Sequence, residues 1–403
     1  MIYIPLDDGV DLIKKETSLN KIESWEELNL IDAHNRVLFE DVYSKIDNPP
    51  FNRSPIDGYA CKSSDLENTT EENFAKLEVV GSIYAGSKHL VEVENGQAVR
   101  IMTGAPIPAS CDCCVMQEFT NYGEDFVEVY KSHSPYKNFC FQGEDYKKDT
   151  LLVKKNSKLT YSEIGVLATS GVSKVKVYKM PKIAILSTGD ELASINEELT
   201  IGKIYNSNLY MLKSRLLEFG IKDVYAENIG DDPEEIYELI KDLSTSYDLI
   251  ITTGGVSVGK KDIFHDIVKM KDMKQIFWKL QIQPGTPIMF SMFKNTPVVS
   301  LSGNPFASLI NFELLVRPLL YNIYKDNSLL MKNKRAILKG DFHKLSRNRR
   351  FVRAFYEDGY VTFPDVLHSP GALSSLIVCN CIIDIPLGTP KLNDGDTVQV
   401  MII

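Results

Sequence analysis

From residue 181 onward, apolar runs alternate with amphipathic segments along the chain. The runs KIAILST, KDVYAEN and DLIITT have the lengths of buried strands, and residues 209–219, 233–243 and 262–270 have helical periodicity. Further strands at IFWKLQI, PIMF and PVVSL precede a long helix after Asn304. This alternation predicts an α/β domain over residues 178–325, with a mostly parallel sheet covered on both faces in a three-layer arrangement.

The flanking regions have other patterns. Residues 1–45 are expected to be mainly helical, and a second helix is expected to start at the capping-box sequence of residues 160–163. The two helices would pack together, so residues 1–45 and 147–177 form one discontinuous N-terminal helical domain. Residues 46–146 carry short Val-, Ile- and Tyr-rich runs and predict a β-rich insert. Residues 326–403 return to short strands and predict a small C-terminal β domain, a barrel or a sandwich.

Composition excludes several classes of protein. The 403 residues are 44% hydrophobic and 25% charged, which is typical of globular proteins and excludes disordered or fibrous ones. A formal net charge of −9 argues against a general nucleic-acid binder. No apolar stretch approaches the ~18 residues of a membrane span, and the start of the chain is unlike a signal peptide. We therefore expect a cytoplasmic protein that contacts neither membranes nor nucleic acid.

The seven cysteines are an odd number without zinc spacing. The cluster Cys111-Asp112-Cys113-Cys114 could bind a soft metal, but it leads into apolar residues. Burial as small hydrophobic side chains is the favoured interpretation.

Three predicted loops carry the chemistry. Thr188, Gly189, Asp190 and Glu191 follow the first α/β strand. The second loop follows DLII and contains Thr253, Gly254, Gly255, Ser257 and Gly259, and the third is Ser302-Gly303-Asn304. Ligands of open α/β sheets collect at the carboxyl ends of strands, and glycines with free N–H groups suit phosphate. Any one of these loops could be merely a tight turn. Three such loops at consecutive strand ends favour a single composite pocket.

Acidic residues also follow strands. Carboxylates at Glu191, Asp231 and Asp262 beside a phosphate cradle are what Mg²⁺ requires. Asp232 and Asp262 also suit helix N-caps, and a cap is the favoured role of either residue taken alone. Asp231 lies one residue outside its helix and is favoured as a ligand contact.

The stretch Gly255-Val256-Ser257-Val258-Gly259 also matches the nucleophile elbow of α/β-hydrolases. A triad would need His343 or His368, which fall in the predicted C-terminal domain. The hydrolase is therefore disfavoured.

Nine ordered segments carry a resemblance to a known family. They are RVLFEDV, PPFNRSPIDGYA, RIMTGAPIP with VMQE, GEDY, ILSTGDEL, DDP, TTGGVSVG, FWKLQIQPG and LSGNPFAS. With them the chain closely resembles the MoeA family of molybdenum insertases, to which the E domain of gephyrin corresponds. The resemblance implies an elongated homodimer whose pocket lies between the α/β domain of one subunit and the β insert of the other.

The resemblance also implies an activity and residue roles. The family inserts molybdate into adenylated molybdopterin and releases AMP with help from Mg²⁺. By motif, the catalytic residues would be Asp57 and Thr103 from the insert with Glu191, Asp231 and Asp262 from the α/β domain, and the last two would bind the metal. Lys279 and Asn304 would line the cleft with residues 188–190 and 253–259, while Ser374 and Ser375 match a segment near the pocket. Contact with other proteins of molybdenum cofactor biosynthesis is also expected.

Several residues depart from the family pattern. Gln283 and Thr286 stand where the family has lysines, Arg53 replaces a neutral amide, and Lys260 stands where an acid is common. Asn52, Cys140 and Ser302 differ as well. A basic cluster in the C-terminal domain could offset the missing charge or be a solvated strand face, and it comprises Lys344, Arg347, Arg349, Arg350 and Arg353.

The departures leave alternatives to the insertase open. One is a catalytically impaired pterin-binding or scaffold protein, and another is a molybdopterin adenylyltransferase. Tungstate in place of molybdate also stays open.

Overall fold

The computed structural model describes residues 2–88, 91–256, 263–365, 369 and 371–403. Its largest sheet has seven strands, and six of them are the strands predicted for the α/β domain. In spatial order they are Ile2–Ile4, Met273–Leu280, Met289–Phe293, Thr296–Leu301, Leu249–Thr253, Ile183–Thr188 and Val224–Ile229. The last four are parallel to one another, and Met289–Phe293 is antiparallel to both of its neighbours. The sheet is therefore mostly parallel, as predicted.

Helices cover both faces of this sheet. They are Leu6–Glu16, Ser207–Glu218, Pro233–Leu243, Phe264–Ile267, Pro305–Asn311 and Arg317–Tyr324, with a π-helical turn at Phe312–Val316. Alternate residues of the strand Ile183–Thr188 enter different cores, with Ile183 and Ile185 on one face and Ala184 and Leu186 on the other. Burial on both faces explains why these strands are almost continuously apolar.

The insert forms a separate five-stranded sheet, as predicted. Its strands are Gly58–Cys61, Ala75–Ile83, Gln97–Ile101, Cys113–Met116 and Phe126–Val129, with short 3-10 helices at Ser63–Leu66 and Gln117–Phe119. Gly58 admits no side chain, because a Cβ there would lie 1.8 Å from the carbonyl oxygen of Val115 on the neighbouring strand.

The prediction of a mainly helical segment over residues 1–45 is wrong at Trp25–Asn29, which forms a strand paired with Lys174–Tyr178. A second pair joins Val42–Tyr43 to Leu151–Val153, and a 3-10 helix spans Ile31–Ala33. Residues before and after the insert do share one core, which contains Leu38, Val153, Leu167 and Val177.

The expected packing of the two N-terminal helices on each other is also wrong. Helix Tyr161–Thr169 begins at the predicted capping box and contributes Leu167 to the core shared across the insert. Helix Leu6–Glu16 instead buries Leu6 and Ile13 in the α/β core. The preceding strand Ile2–Ile4 pairs with Met273–Leu280, which fixes the helix against that sheet.

The C-terminal region is a closed five-stranded barrel. Its strands are Lys332–Lys339, Arg349–Glu357, Tyr360–Thr362, Cys381–Ile385 and Thr397–Ile402, and pairing of Arg349–Glu357 with Cys381–Ile385 closes it. The short strand Ile282–Gln283 leaves the α/β domain and pairs with Arg349 and Arg350. Short 3-10 helices lie at Asn327–Leu329 and Leu373–Leu376, and a small strand pair joins Leu192–Ala193 to Ile204–Tyr205. In the part of the chain that the structure describes, no helix has both the length and the apolar character needed to cross a membrane.

Candidate functional site

The carboxyl ends of four neighbouring strands form one edge of the large sheet. Because these strands are parallel and hydrogen-bonded in a fixed order, the loops after them are also neighbours. Along the edge these loops contain residues 302–304, 254–256, 189–191 and 230–231. The structure therefore brings the three predicted loops and Asp231 together.

The loop after Ile183–Thr188 is tightly folded around Gly189. This residue has φ of +147°, and a Cβ on it would lie 2.7 Å from a carboxylate oxygen of Glu191. The exposed Glu191 carboxylate therefore folds back over its own loop. Lys203 donates to the backbone oxygen of Asp190, so one cation lies beside this acidic loop.

The loop after Leu249–Thr253 packs directly on the first loop. Gly254 has φ of +95°, and a Cβ there would lie 2.4 Å from the carbonyl oxygen of Thr188. The hydroxyl of Thr188 donates to the Thr253 carbonyl at 3.3 Å, and the Thr253 hydroxyl donates to Ser187 at 3.1 Å. Gly255 is also left-handed, with φ of +63°. The predicted site residues Ser257, Gly259 and Asp262, and the departure at Lys260, lie outside the described residues.

The third loop completes the row. A Cβ on Gly303 would lie 3.4 Å from the Cα of Gly254, so the two backbones are in contact. Asn304 is exposed at the start of helix Pro305–Asn311 and makes no side-chain capping bond. Two glycines at this contact leave the backbone open to a ligand.

Two buried asparagines hold these loops, and sequence reasoning missed both. The amide of Asn208 donates to the Gly303 carbonyl at 2.7 Å. The amide of Asn311 donates to the Gly285 carbonyl at 2.9 Å, and its oxygen accepts from the Ser302 N–H at 3.4 Å. Asn208 follows the N-cap Asn206 in a recognisable NSN signal, whereas nothing local distinguishes Asn311 within its helix.

The acids Asp231 and Asp232 have different roles in the fold. Asp232 caps helix Pro233–Leu243 by accepting from the N–H groups of Glu234 at 2.9 Å and Glu235 at 3.1 Å, as predicted. The N–H of Asp231 donates to a carboxylate oxygen of Asp190 at 3.4 Å, so the Asp190 side chain links the two loops at this edge. Within the described ranges, no three His, Cys, Asp or Glu side chains converge as metal ligands.

Lys279 lies beside the second loop through its neighbour Trp278. The indole N–H of Trp278 donates to the Val256 carbonyl at 3.3 Å, and the Lys279 ammonium lies 3.7 Å from the indole ring centroid. Lys279 has φ of +65°, and its N–H donates to Ile288 at 2.8 Å. This cation therefore borders the cleft at the second loop.

Asp57 and Thr103 form a pair between two loops that border the insert sheet. The Thr103 N–H and hydroxyl both donate to Oδ1 of Asp57, at 2.7 and 2.8 Å. These bonds, the backbone one above all, hold the pKa of Asp57 below its usual value. The carboxylate is exposed and stays charged. Nearby, Arg53 forms isolated β-bridges with Pro106 and Cys140. Arg53 and Cys140, which both differ from the family pattern, are therefore neighbours in the insert.

The cysteine cluster belongs to the core of the insert. Cys111, Cys113 and Cys114 are buried, and the sulfur of Cys113 lies 3.8 Å from that of Cys61 across a strand pair. Burial raises the pKa of Cys111 and of Cys114 to about 12. The described thiols are thus packed as small hydrophobic side chains, and the favoured interpretation holds for them.

The barrel residues of the predicted site lie near Arg353. Ser374 and Ser375 belong to the 3-10 helix Leu373–Leu376, and buried Ser375 donates to the Ala372 carbonyl at 2.7 Å. The same carbonyl accepts from Arg353 at 2.8 Å.

His343, considered for a hydrolase triad, is an exposed barrel residue 3.6 Å from Asp341, and His368 lies outside the described residues.

Comparison with known proteins accounts for most of the chain. Residues 4–171 match the family described as "MoeA N-terminal region (domain I and II)", residues 184–322 match "Probable molybdopterin binding domain", and residues 335–403 match "MoeA C-terminal region (domain IV)". These ranges correspond to the insert with its flanking core, the α/β domain and the barrel.

Individual relatives agree with these matches. A molybdopterin molybdenumtransferase of Staphylococcus epidermidis is 34% identical over 378 residues, covering 93% of this chain and 90% of the relative. A molybdopterin molybdenumtransferase of Bacillus subtilis is 33% identical over 407 residues, covering 99% and 94%. The crystal structure of the molybdopterin biosynthesis MoeA protein from Pyrococcus horikoshii OT3 superposes with a TM-score of 0.83 at 28% identity, covering all of both chains. The fold, the strand-end loops and these full-length matches together show that the chain belongs to the MoeA family.

Proposed function

We propose that this protein is a transferase of molybdenum cofactor biosynthesis that inserts molybdate into adenylated molybdopterin and releases AMP. The observation that carries the proposal is the row of loops at one edge of the α/β sheet, in a chain of the MoeA family. Direct contacts between Thr188 and Gly254, and between Gly254 and Gly303, make this row one surface. In this reaction water cleaves the pyrophosphate linkage, so that AMP leaves and the other phosphate stays on the pterin. The two dithiolene sulfurs bind molybdenum and displace one oxo group of molybdate, which leaves as water with the two thiol protons.

The glycine-rich second loop is proposed to bind the substrate phosphates. Gly254 and Gly255 both have left-handed φ values. The Gly254 N–H donates to the Leu301 carbonyl at 3.3 Å and holds the loop against the neighbouring strand, while Gly255 has no side chain of its own to keep its N–H from an anion. Ser257 and Gly259 would continue the same loop. Lys279 supplies positive charge beside it, while Thr188, Thr253 and Asn304 supply neutral polar groups.

The acids at this edge suit Mg²⁺. Magnesium in phosphate-transfer sites is usually held by one or two carboxylates together with substrate phosphates, so a three-ligand cluster in the protein is not required. We propose Asp231 and Asp262 as its ligands, with Glu191 as a further acid at the reacting phosphates. Bound there, Mg²⁺ would supply Lewis-acid chemistry at the pyrophosphate. The contact between Asp190 and the Asp231 N–H would hold Asp231 at the edge.

Asp57 and Thr103 are proposed to act on the site of a second copy. Both residues lie in loops beside strands of the insert sheet, whereas the strand-end loops border another sheet. A homodimer in which each insert reaches the partner's α/β domain would unite the two groups of residues. In that arrangement Asp57 would approach the substrate as a charged carboxylate held in place by Thr103.

The first test is AMP release from adenylated molybdopterin by the purified protein, with Mg²⁺ and with or without molybdate. We expect molybdate-dependent release that falls strongly in Asp231→Asn and Asp57→Asn. Asp125→Asn is the matched control, because Asp125 is an exposed acid of the same insert as Asp57. Tight substrate binding without AMP release would instead select the pterin-binding or scaffold protein. Consumption of ATP with molybdopterin would select the adenylyltransferase, and replacing molybdate by tungstate tests the choice of metal.

A complementation assay tests the shared site. Asp57→Asn and Asp231→Asn chains are co-expressed in equal amounts and purified together without separating the dimers, so that about half of the dimers are mixed. If each site takes Asp57 from one subunit and Asp231 from the other, mixed dimers contain one intact site and the mixture recovers about a quarter of wild-type activity. A mixture as inactive as each variant alone would contradict a site shared between subunits.

The proposed location of this reaction is the cytoplasm, with other proteins of molybdenum cofactor biosynthesis as candidate partners.

A further inference from the structure

The indole ring of Trp278 joins the two ends of the second loop. Its N–H donates to the carbonyl of Val256, early in the loop, at 3.3 Å. Its ring also meets the imidazole of His265, in the helix Phe264–Ile267 that follows the loop. The two ring centroids lie 4.0 Å apart, and the ring planes cross at 87°. One side chain therefore links the segments on either side of residues 257–262.

The backbone that carries this ring is held on both sides. Trp278 pairs with Ile2 on one neighbouring strand and with Met289 on the other. The half-buried ring packs against the hydrophobic cluster that contains Val256, Phe264 and Met289. Because the strand is an internal member of the seven-stranded sheet, Trp278 is a fixed point to which the loop is attached.

The backbone of Lys279 departs from regular strand geometry. In a regular strand, neighbouring side chains point to opposite faces, so Lys279 would point away from Trp278. Its φ is +65°, however, and its ammonium lies 3.7 Å from the centroid of the Trp278 ring. A left-handed lysine is uncommon and persists only where its surroundings hold it. The contact between this cation and the ring is therefore a specific feature of the fold.

We propose that Trp278 is a positioning residue, which holds the second loop and Lys279 in the arrangement that binds the substrate phosphates. This inference rests on the proposed function, because the loop and Lys279 are assigned to those phosphates there. A lysine side chain is long and flexible, and an indole face attracts an ammonium more strongly than other aromatic rings do. A cation that is already ordered binds an anion more tightly, because less freedom is lost on binding.

The first test is equilibrium binding of AMP, with Mg²⁺, to the full-length protein by titration calorimetry. Trp278→Leu is expected to raise the Kd for AMP by about tenfold, because the ring under Lys279 and the N–H to Val256 are both lost. Trp278→Phe keeps a ring and loses the N–H, and an increase of about threefold is expected.

Trp25→Phe is the matched control. Trp25 also has a lysine over its ring, with the Lys176 ammonium 4.9 Å from the centroid, but it lies on the separate two-stranded sheet formed with Lys174–Tyr178. Its AMP affinity is expected to stay within about twofold of wild type. An equal loss of affinity in Trp25→Phe and Trp278→Phe would contradict a local role for Trp278.

A double-mutant cycle separates positioning from support of the fold. Trp278→Leu is combined with Lys279→Met, which removes the charge and keeps a side chain of similar length. If the ring acts through Lys279, Trp278→Leu should weaken AMP binding by a factor about threefold smaller in the Lys279→Met background than in the wild type. The same factor in both backgrounds would overturn the proposal. A single cooperative unfolding transition establishes that each variant is folded.

Fluorescence supplies a readout at the residue itself. Trp25 and Trp278 are the two tryptophans of the chain, so Trp278 is the remaining one in Trp25→Phe. AMP is expected to change the fluorescence of this variant with the Kd found by calorimetry, and to leave that of Trp278→Phe unchanged. A response confined to Trp25 would contradict contact between Trp278 and the loop that binds AMP.

AMP release from adenylated molybdopterin is measured on the same preparations. Turnover by the wild type, with unaltered AMP affinity in Trp278→Leu, would remove this role for Trp278 while the transferase stands. AMP binding that depends on Trp278 without any turnover would keep the positioning role and select the pterin-binding protein. Absence of both AMP binding and turnover in the wild type would remove both proposals.

Discussion

Thr103 donates both its backbone N–H and its hydroxyl to the same oxygen of Asp57. Both bonds favour the charged form, and they join two loops of the insert that are 46 positions apart in sequence. The carboxylate is therefore ionised and oriented before any substrate arrives.

Thr103→Val removes the hydroxyl bond and keeps the backbone bond. We expect the pKa of Asp57 to rise toward its usual value, because one of the two bonds that lower it is lost. Thr103→Ser should keep the low value. Carbon-detected NMR titration of the Asp57 carboxyl measures this, and an unchanged pKa in Thr103→Val would contradict a role for the hydroxyl.

The same pair predicts a pH dependence. Since the folded-state pKa of Asp57 is lowered, its contribution to folding is present above the unfolded-state pKa and is lost as the pH falls through the folded-state value. The acid limb of AMP release should shift to higher pH in Thr103→Val and stay in place in Thr103→Ser. If the acid limb lies at the same pH in the wild type, Thr103→Val and Thr103→Ser, the ionisation of Asp57 does not control the rate of AMP release.

Asn311→Ala should destabilise the protein by about 1–3 kcal/mol, because the buried Gly285 carbonyl loses its amide donor. Denaturant unfolding measures the change in free energy. Asn333→Ala is the control, since Asn333 is exposed on barrel strand Lys332–Lys339. Equal stability of the two variants would mean that water replaces the Asn311 amide at no cost.

Gly254→Ala tests the contact between the first two loops. Both Gly254, with φ of +95°, and Gly388, with φ of +84°, are left-handed, so alanine should cost about 1–2 kcal/mol of backbone strain at either position. Only at Gly254 does the new Cβ meet another backbone atom, at 2.4 Å, whereas Gly388 has nothing within 4 Å. Thermal unfolding should therefore show a larger loss for Gly254→Ala, together with weaker binding of AMP. Equal losses and unaltered AMP affinity would show that the two loops can separate freely.

Cysteine labelling tests the interpretation of the cluster. Burial raises the pKa of Cys111 and Cys114 to about 12, so almost no thiolate is present at pH 8. Iodoacetamide should label the partly exposed Cys140 well before either of them, as read by mass spectrometry of the peptides. All seven cysteines should react in denaturant. Labelling of Cys111 as fast as Cys140 in the folded protein would indicate an accessible, reactive cluster.

The sequence by itself determined the features that depend on neighbouring residues. Continuous apolar runs with turn signals predicted the strands of the α/β sheet, and Thr160 with Glu163 predicted the start of a helix. The strand-end rule then predicted that Gly189, Gly254 and Gly303 would meet, because parallel strands in one sheet share an edge. Ordered motifs supplied the family, which these local patterns could not.

Tertiary structure alone decided which distant segments meet. Trp25–Asn29 is polar and short, and it is a strand because Lys174–Tyr178 pairs with it. Arg349 and Arg350 are adjacent and chemically identical, yet only the first meets Asp384 and Asp7, because alternate residues of a strand point to opposite faces. Asn311 likewise gains its role from Gly285 and Ser302 on other elements. Pairing between such distant positions depends on chain topology, which no local sequence pattern encodes.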